Sequence, residues 1–414
     1  MSRPRVELLA PPFAGHLHPL LAIGRALRDI VDIEVVSTDA AQARIRAAGL
    51  AGSAVVPGAD AALRRIVEPP HAVGANPLRL HAQFQRSLDL LEAFAAALDA
   101  RYSKTRPDLV IADFTLPVAG AAARRRGIPW WTSHPSPCVI EGHGGPPAYL
   151  GGWMPGIGRL GRSRDALASQ AVRGFKRGIH RLHRRRLAAL GFPSLYRDDG
   201  SEAAYSSECI LGLGLRELEL EFERAWPAAL RFVGPMLWSP PGTGAPPPEP
   251  GAANVLATLG THLGWAKQPM AERLEALAQA MPAIRLHFSD GRLDAGADAA
   301  HRALHRHAWV DYSSWLPRMQ AVLHHGGAGV MWECLRAGVP ALVLPNDYDQ
   351  FDHAARLHAA GVALRLRHAR EIGPALRRLL DGEHALRPNR FVEALRPGQA
   401  EARVVALVRA RLGI

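Results

Sequence analysis

A chain of 414 residues with 48% apolar content is too long for one ordinary hydrophobic core and has apolar residues enough for two. The formal net charge of +12 suggests nucleic acid as a partner, but nearly every basic residue is arginine, only Lys104, Lys176 and Lys267 being lysine. That skew reads as compositional bias, and no zinc-finger spacing, RNA-recognition motif or basic zipper accompanies it. No apolar run reaches the roughly 18 residues of a bilayer span. The first apolar stretch, Val6–Ala10, is interrupted by Glu7 and closed by Pro11-Pro12, unlike a secretory leader. A cytoplasmic protein without membrane insertion, monomeric or homodimeric, is expected. Cys138, Cys209 and Cys334 are odd in number and far apart, so they read as buried small hydrophobes and exclude a paired zinc spacing.

In chain order, Val6–Ala10 reads as a buried strand and Pro19–Leu27 as a helix with proline in its first turn. Between them lies Pro12-Phe13-Ala14-Gly15-His16-Leu17-His18-Pro19, a turn of the kind that carries ligands beyond a strand's C-terminal end. Ile33–Ser37, Ala54-Val55-Val56 and Leu109–Ala112 continue as strands, the last followed by Asp113. Such alternation implies a parallel sheet covered on both faces. Residues 159–186 hold ten basic side chains against the single acid Asp165, which reads first as a solvated basic helix. An anionic acceptor or contact with acidic lipid head groups is the other meaning of such a run.

Residues 236–252, rich in Pro and Gly, cannot form a helix interior or central strand and read as a linker between residues 1–235 and 253–395. The pattern then restarts with Val255–Leu259, a helix at Ala271–Ala280 and a strand at Ile284–Phe288. In residues 321–350, Val322-Leu323 ends a strand, His324–Gly329 makes a small-residue turn, and Val330–Ala337 carries a helical pattern closed by Gly338 and Pro340. A glycine-rich turn opening a helix is an anion site, because its N–H groups lack intrahelical partners and carry the positive end of the helix dipole. A strand at Ala341–Pro345 follows, then Asp347-Tyr348-Asp349-Gln350.

The run His325, Gly327, Glu333, Pro340, Asp349 and Gln350 resembles the donor motif of family 1 glycosyltransferases of the two-domain GT-B type, above all the bacterial natural-product and macrolide enzymes. Gly15, His16 and Pro19 match that family's Gly-His-x-x-Pro turn. The resemblance implies an α/β protein of two Rossmann-like domains facing each other across a cleft, with the helix in residues 396–414 packing back on the first domain. It implies an inverting transferase taking a UDP- or dTDP-linked sugar as co-substrate and a small-molecule hydroxyl as acceptor, with no metal or other cofactor. It assigns His16 as general base and Asp113 as the carboxylate that orients it. On the donor side it places Trp309 on the nucleobase, Glu333 on the ribose, Thr261 and His325 with the turn Gly326, Gly327, Ala328 and Gly329 on the diphosphate, and Asp349 and Gln350 on the sugar.

Phe13, Trp130, Trp131, His134 and Tyr149 are candidates for an apolar acceptor pocket, with core packing as the competing account of the tryptophans. His18 is the rival base. Asp347 and Asp349 also spell an Asp-x-Asp metal motif; since the His325 turn already serves the diphosphate, Asp347 is expected to be a solvated loop residue. Asp311 and Tyr312 stand where UDP-sugar enzymes often have Pro and Gln, and Val330 replaces a common Ser or Thr. A nucleotide-sugar 2-epimerase and a non-catalytic nucleotide-sugar-binding protein are the alternative functions.

Overall fold

A computed structural model describes residues 3–70, 76–222, 224–240, 244–250, 253–292 and 303–414. Thirteen strands lie among them: β1 (Arg5–Leu9), β2 (Asp32–Ser37), β3 (Ala51–Ala54), β4 (Leu109–Asp113), β5 (Trp130–His134), β6 (Ile210–Gly212), β7 (Leu230–Phe232), β8 (Ala253–Thr258), β9 (Ile284–Ser289), β10 (His305–His307), β11 (Ala321–His324), β12 (Ala341–Val343) and β13 (Ala363–Arg365). The first seven form one parallel sheet in the order β3-β2-β1-β4-β5-β6-β7, and the rest a second in the order β10-β9-β8-β11-β12-β13. In both sheets the strand order reverses once, between β1 and β4 and between β8 and β11. Those two points are where a doubly wound sheet opens a crevice beyond its strand ends.

Helices cover both faces of the first sheet, which is why its central strands are buried at every residue but Arg5. Leu17, Leu20, Leu21 and Leu27 of helix Ala14–Leu27 pack one face, joined by Val404 and Val408 of the last helix, Gln399–Leu412. Helix Pro77–Tyr102 packs the other through Leu88, Phe94 and Leu98. Glu7, the charge that breaks the first apolar run, is fully buried and gripped by Arg101 at 2.9 and 3.0 Å. All three cysteines are buried and unpaired.

Several boundaries differ from the sequence reading. Helix Ala14–Leu27 begins five residues before Pro19, and helix Gly264–Ala280 begins five residues before Pro269. Proline that early in a helix forfeits only one backbone bond. The third strand is Ala51–Ala54 and not Ala54-Val55-Val56, because the chain turns at Val56, whose φ is 55°. Strand β12 stops at Val343, and helix Ala328–Ala337 takes in Ala328 and Gly329. The linker reading covers residues partly outside those described. Its visible part is not free: Ala245 bridges Val310 in parallel and its carbonyl accepts the Trp315 indole N–H at 2.9 Å.

Candidate active site

His16 and Asp113 sit on either side of the first reversal. Register pairs Leu9 with Ala112, so the chain leaving β1 and the last residue of β4 emerge together. His16 lies in the first helical turn, its N–H bonded to the Phe13 carbonyl at 3.0 Å; it does not sit in a loop ahead of the helix. Both Asp113 oxygens stand 3.1 Å from His16 Nδ1. The Thr115 backbone N–H, at 3.0 Å, and its hydroxyl hold Asp113 Oδ1. Proton donation from Nδ1 to the carboxylate leaves Nε2 as the free acceptor. Burial alone would lower the His16 pKa, but the Asp113 charge, the hydrogen bond to it and the Asp349 charge outweigh that, and the net shift is upward from 6.5. Burial works to raise the Asp113 pKa, and the bonds to His16 and Thr115 bring it below the usual carboxylate value.

His18, the rival base, faces the same cavity but has a different environment. Its ring meets Trp238 edge-on at 4.9 Å, and burial, reinforced by Arg44, pushes its pKa down to about 3.

At the second reversal Thr258 pairs with His324, so Gly260, Thr261 and His325 emerge side by side. The His325 ring is wedged between two glycines: a Cβ on Gly327 would lie 2.4 Å from Nε2, and one on Gly260 would lie 2.8 Å from the ring. Room for this imidazole favours glycine at both places, and at Gly260 a φ of 67° favours it as well. Burial drives the His325 pKa to about 4, so the ring is neutral near pH 7 and offers a single N–H. Its Nδ1 is buried with no partner among the described residues. Gly327 caps helix Ala328–Ala337 in extended conformation; Gly326, with φ 93°, packs on the Gln350 backbone behind the turn.

A cavity of about 550 Å³ joins the two reversals, with His16 on one wall and His325 on the other. Thr261, Trp309, Gly327, Ala328, Gly329, Glu333, Asp349 and Gln350 also line it. Glu333 is buried, paired with Arg336, and its carboxyl is pushed up by burial. Asp349 accepts the Ser136 hydroxyl at 2.5 Å, a bond between the two halves of the chain. The Gln350 side-chain oxygen accepts the N–H groups of Asn346 and Asp347 at 2.9 and 3.1 Å, fixing the loop that carries Asp349. Asp347 is buried and accepts the Tyr348 N–H at 3.0 Å, which corrects the expectation of a solvated residue.

Of the acceptor candidates, Phe13 and Tyr149 line the cavity. Trp130, Trp131 and His134 do not: β5 is an interior strand, and its side chains enter the packed layers. The Trp130 ring fills the space above Gly120, where a Cβ would be 2.4 Å away. Trp131 donates its indole N–H to Glu208 at 2.9 Å, and His134 is fully buried and stacked on Phe114 at 4.1 Å. The apolar wall near His16 comes instead from Leu63, Ile66, Leu90, Leu91, Phe94 and Phe114. Sequence reasoning also missed His262, whose ring meets Phe13 across the cleft at 5.2 Å and bonds the Thr261 hydroxyl at 3.0 Å. Its adjacency to Thr261 was the available signal; for Ser136 there was none.

The halves are clasped by more than Ser136. Tyr149 N–H meets Asp352 at 2.9 Å, Arg356 meets Glu219 at 2.6 Å with both side chains buried, and Gln83 donates to the Tyr348 hydroxyl at 2.9 Å.

Residues 284–389 match the family model described as Erythromycin biosynthesis protein CIII-like, C-terminal domain. L-demethylnoviosyl transferase of Streptomyces niveus is 28% identical over 379 residues, covering 88% of this chain and 85% of that protein. The crystal structure of the glycotransferase of kitacinnamycin superposes with a TM-score of 0.72 at 22% identity over the full length of both chains. The glycosyltransferase VinC, solved in complex with dTDP, gives 0.64 at 18% identity over 99% of this chain and 98% of its own. The chain is similar to glycosyltransferases of bacterial natural-product pathways. Its architecture is GT-B, with Rossmann-like halves meeting at the cavity. No helix among the described residues is long and apolar enough to cross a membrane.

Proposed function

We propose that this protein transfers a sugar from a UDP- or dTDP-linked donor to a hydroxyl group of a small natural product, with inversion at the anomeric carbon. The observation that carries the reading is one cavity with His16, backed by buried Asp113, on one wall and the His325 turn on the other. His16 Nε2 takes the acceptor's proton as its oxygen attacks the anomeric carbon. The bond from that carbon to the diphosphate breaks with its electron pair going to the leaving oxygen. The positive end of helix Ala328–Ala337 and the His325 N–H stabilise the charge that grows there. Asp113 stabilises the imidazolium as it forms. Trp309 stacks on the base, Glu333 holds the ribose, Thr261 contacts phosphate, and Asp349 and Gln350 hold the sugar. One displacement inverts the centre.

Metal independence belongs to the same reading, because the diphosphate has protein donors on its side of the cavity. The dTDP bound by VinC favours a thymidine donor, and so does Tyr312 in place of the Gln that reads uracil in UDP-sugar enzymes. The paired base and orienting carboxylate favour transfer over mere binding.

The test is a mass-spectrometric transfer assay with UDP- and dTDP-sugars against a panel of hydroxylated natural products, run with and without chelator. Product that survives chelation is expected. His16→Ala should lose turnover while binding nucleotide as the parent does. Wild-type turnover in that variant, or loss on chelation restored by metal, overturns the mechanism.

A further inference from the structure

The basic segment is not used by the transfer reading. It folds as helix Gly158–Leu182 followed by a short helix, Arg184–Ala189. One face packs on the protein through buried Asp165 and half-buried Ala168, Val172, Lys176 and Ile179. The opposite face carries Leu160, Leu167, Ala171, Gly174, Gly178 and Leu182, spaced by three, four or seven residues and all exposed. Leu160 is 88% exposed, Leu167 68% and Leu182 66%, and Ile157 just before the helix is 94% exposed. Trp153 and Met154 extend the apolar surface at that end. Isolated surface leucines are ordinary, but leucines aligned along the outer face of a 25-residue helix are not.

Arg159, Arg177 and Arg181 flank the apolar line, and Arg184 and Arg185 follow it, all exposed. The neighbouring acids are already engaged: Glu141 and Glu202 by Arg173 and Lys176, Asp89 and Glu92 by Arg186. This face thus pairs an apolar strip with outward positive charge. A second copy docking here would set arginine against arginine.

We propose that helix Gly158–Leu182 is a peripheral attachment site for an anionic lipid surface, lying flat with its leucines in the acyl boundary and its arginines on the head groups. Its charge selects an acidic surface, and its apolar strip selects lipid over an acidic soluble polymer. The inference does not depend on the catalytic reading.

The experiment is co-sedimentation of the full chain with vesicles of phosphatidylcholine alone and of phosphatidylcholine mixed with phosphatidylglycerol, at low and high salt. Binding should require the anionic lipid and weaken with salt. Arg181→Gln, Arg184→Gln and Arg185→Gln together should weaken it by about 100-fold, at about fivefold per arginine. Leu160→Glu with Leu167→Glu should abolish it; all five positions are solvent-exposed, and circular dichroism checks that the fold persists. Absence of vesicle binding overturns the proposal, as does equal binding to both vesicle types or wild-type binding in both variants. A dimer in solution that Leu160→Glu with Leu167→Glu dissolves would give the face to a second copy. Retention on polyglutamate without vesicle binding would give it to an acidic protein.

Discussion

Replacing Asp113 by Asn removes one charge from the cleft with little change in shape. At 3.1 Å the attraction between the carboxylate and the imidazolium formed during transfer is about 5 kcal/mol for an effective dielectric of 20. His16 keeps about a quarter of its side chain exposed (24%), so solvent screening reduces this to roughly 2–3 kcal/mol, or about 100-fold in rate. If the Asn amide donates to Nδ1, the ring is also left in the wrong tautomer and the loss grows toward roughly 10⁴-fold, as in hydrolytic triads. The pH profile separates this from a general loss of structure. His16 has a raised pKa in the parent, so kcat/KM should fall as pH drops through a value above 6.5, where the base becomes protonated. In the variant burial still lowers the pKa and only Asp349 remains to raise it, so the acid limb should move to lower pH. Steady-state kinetics from pH 5 to 9 with matched nucleotide titrations measure both effects. A kcat/KM within about threefold of the parent, or an unmoved acid limb, refutes the assignment of Asp113 as the partner that charges His16.

His325→Ala removes one N–H from the anion site but keeps the backbone donors of helix Ala328–Ala337; calorimetry should show nucleoside diphosphate affinity about tenfold weaker, at ~1–1.5 kcal/mol for one such bond, and an unchanged affinity removes the phosphate role. Arg356→Leu leaves Glu219 buried and uncompensated, which should cost about 3–5 kcal/mol and lower the melting temperature clearly. Arg356→Leu with Glu219→Leu should recover most of that loss in the same thermal scan; no recovery would mean that the ion pair is not the cause.

What the sequence made legible is local. The His325 turn and the Gly15–Pro19 turn are each strand-turn-helix units whose residues meet through short-range geometry, so a match to the family's motifs could point to residues on both walls of the cavity. The acceptor wall is different in kind. Leu63, Leu90 and Phe94 become lining because two helices separated in sequence fold over the end of β1, and nothing in their own periodicity says which face meets the cleft. The tryptophans of β5 show the same limit from the other side: two adjacent strand residues must point to opposite faces, and a strand with neighbours on both edges sends both into packed layers. Proline misled the reading of the first helix's start. Pro19 and Pro269 are each the sixth residue of the helix that follows the first strand of their sheet. In both helices the first turn precedes the proline, and in the first it holds His16. The proline leaves one carbonyl of that turn, Gly15 or Trp265, without its helical partner, a cost borne at corresponding places in the two halves. Each helix nonetheless runs unbroken through its proline, whereas a reading from sequence places proline in the first helical turn. That is the physical reason the sequence signal for the first helix begins at Pro19, while His16, which meets the cleft, lies before it.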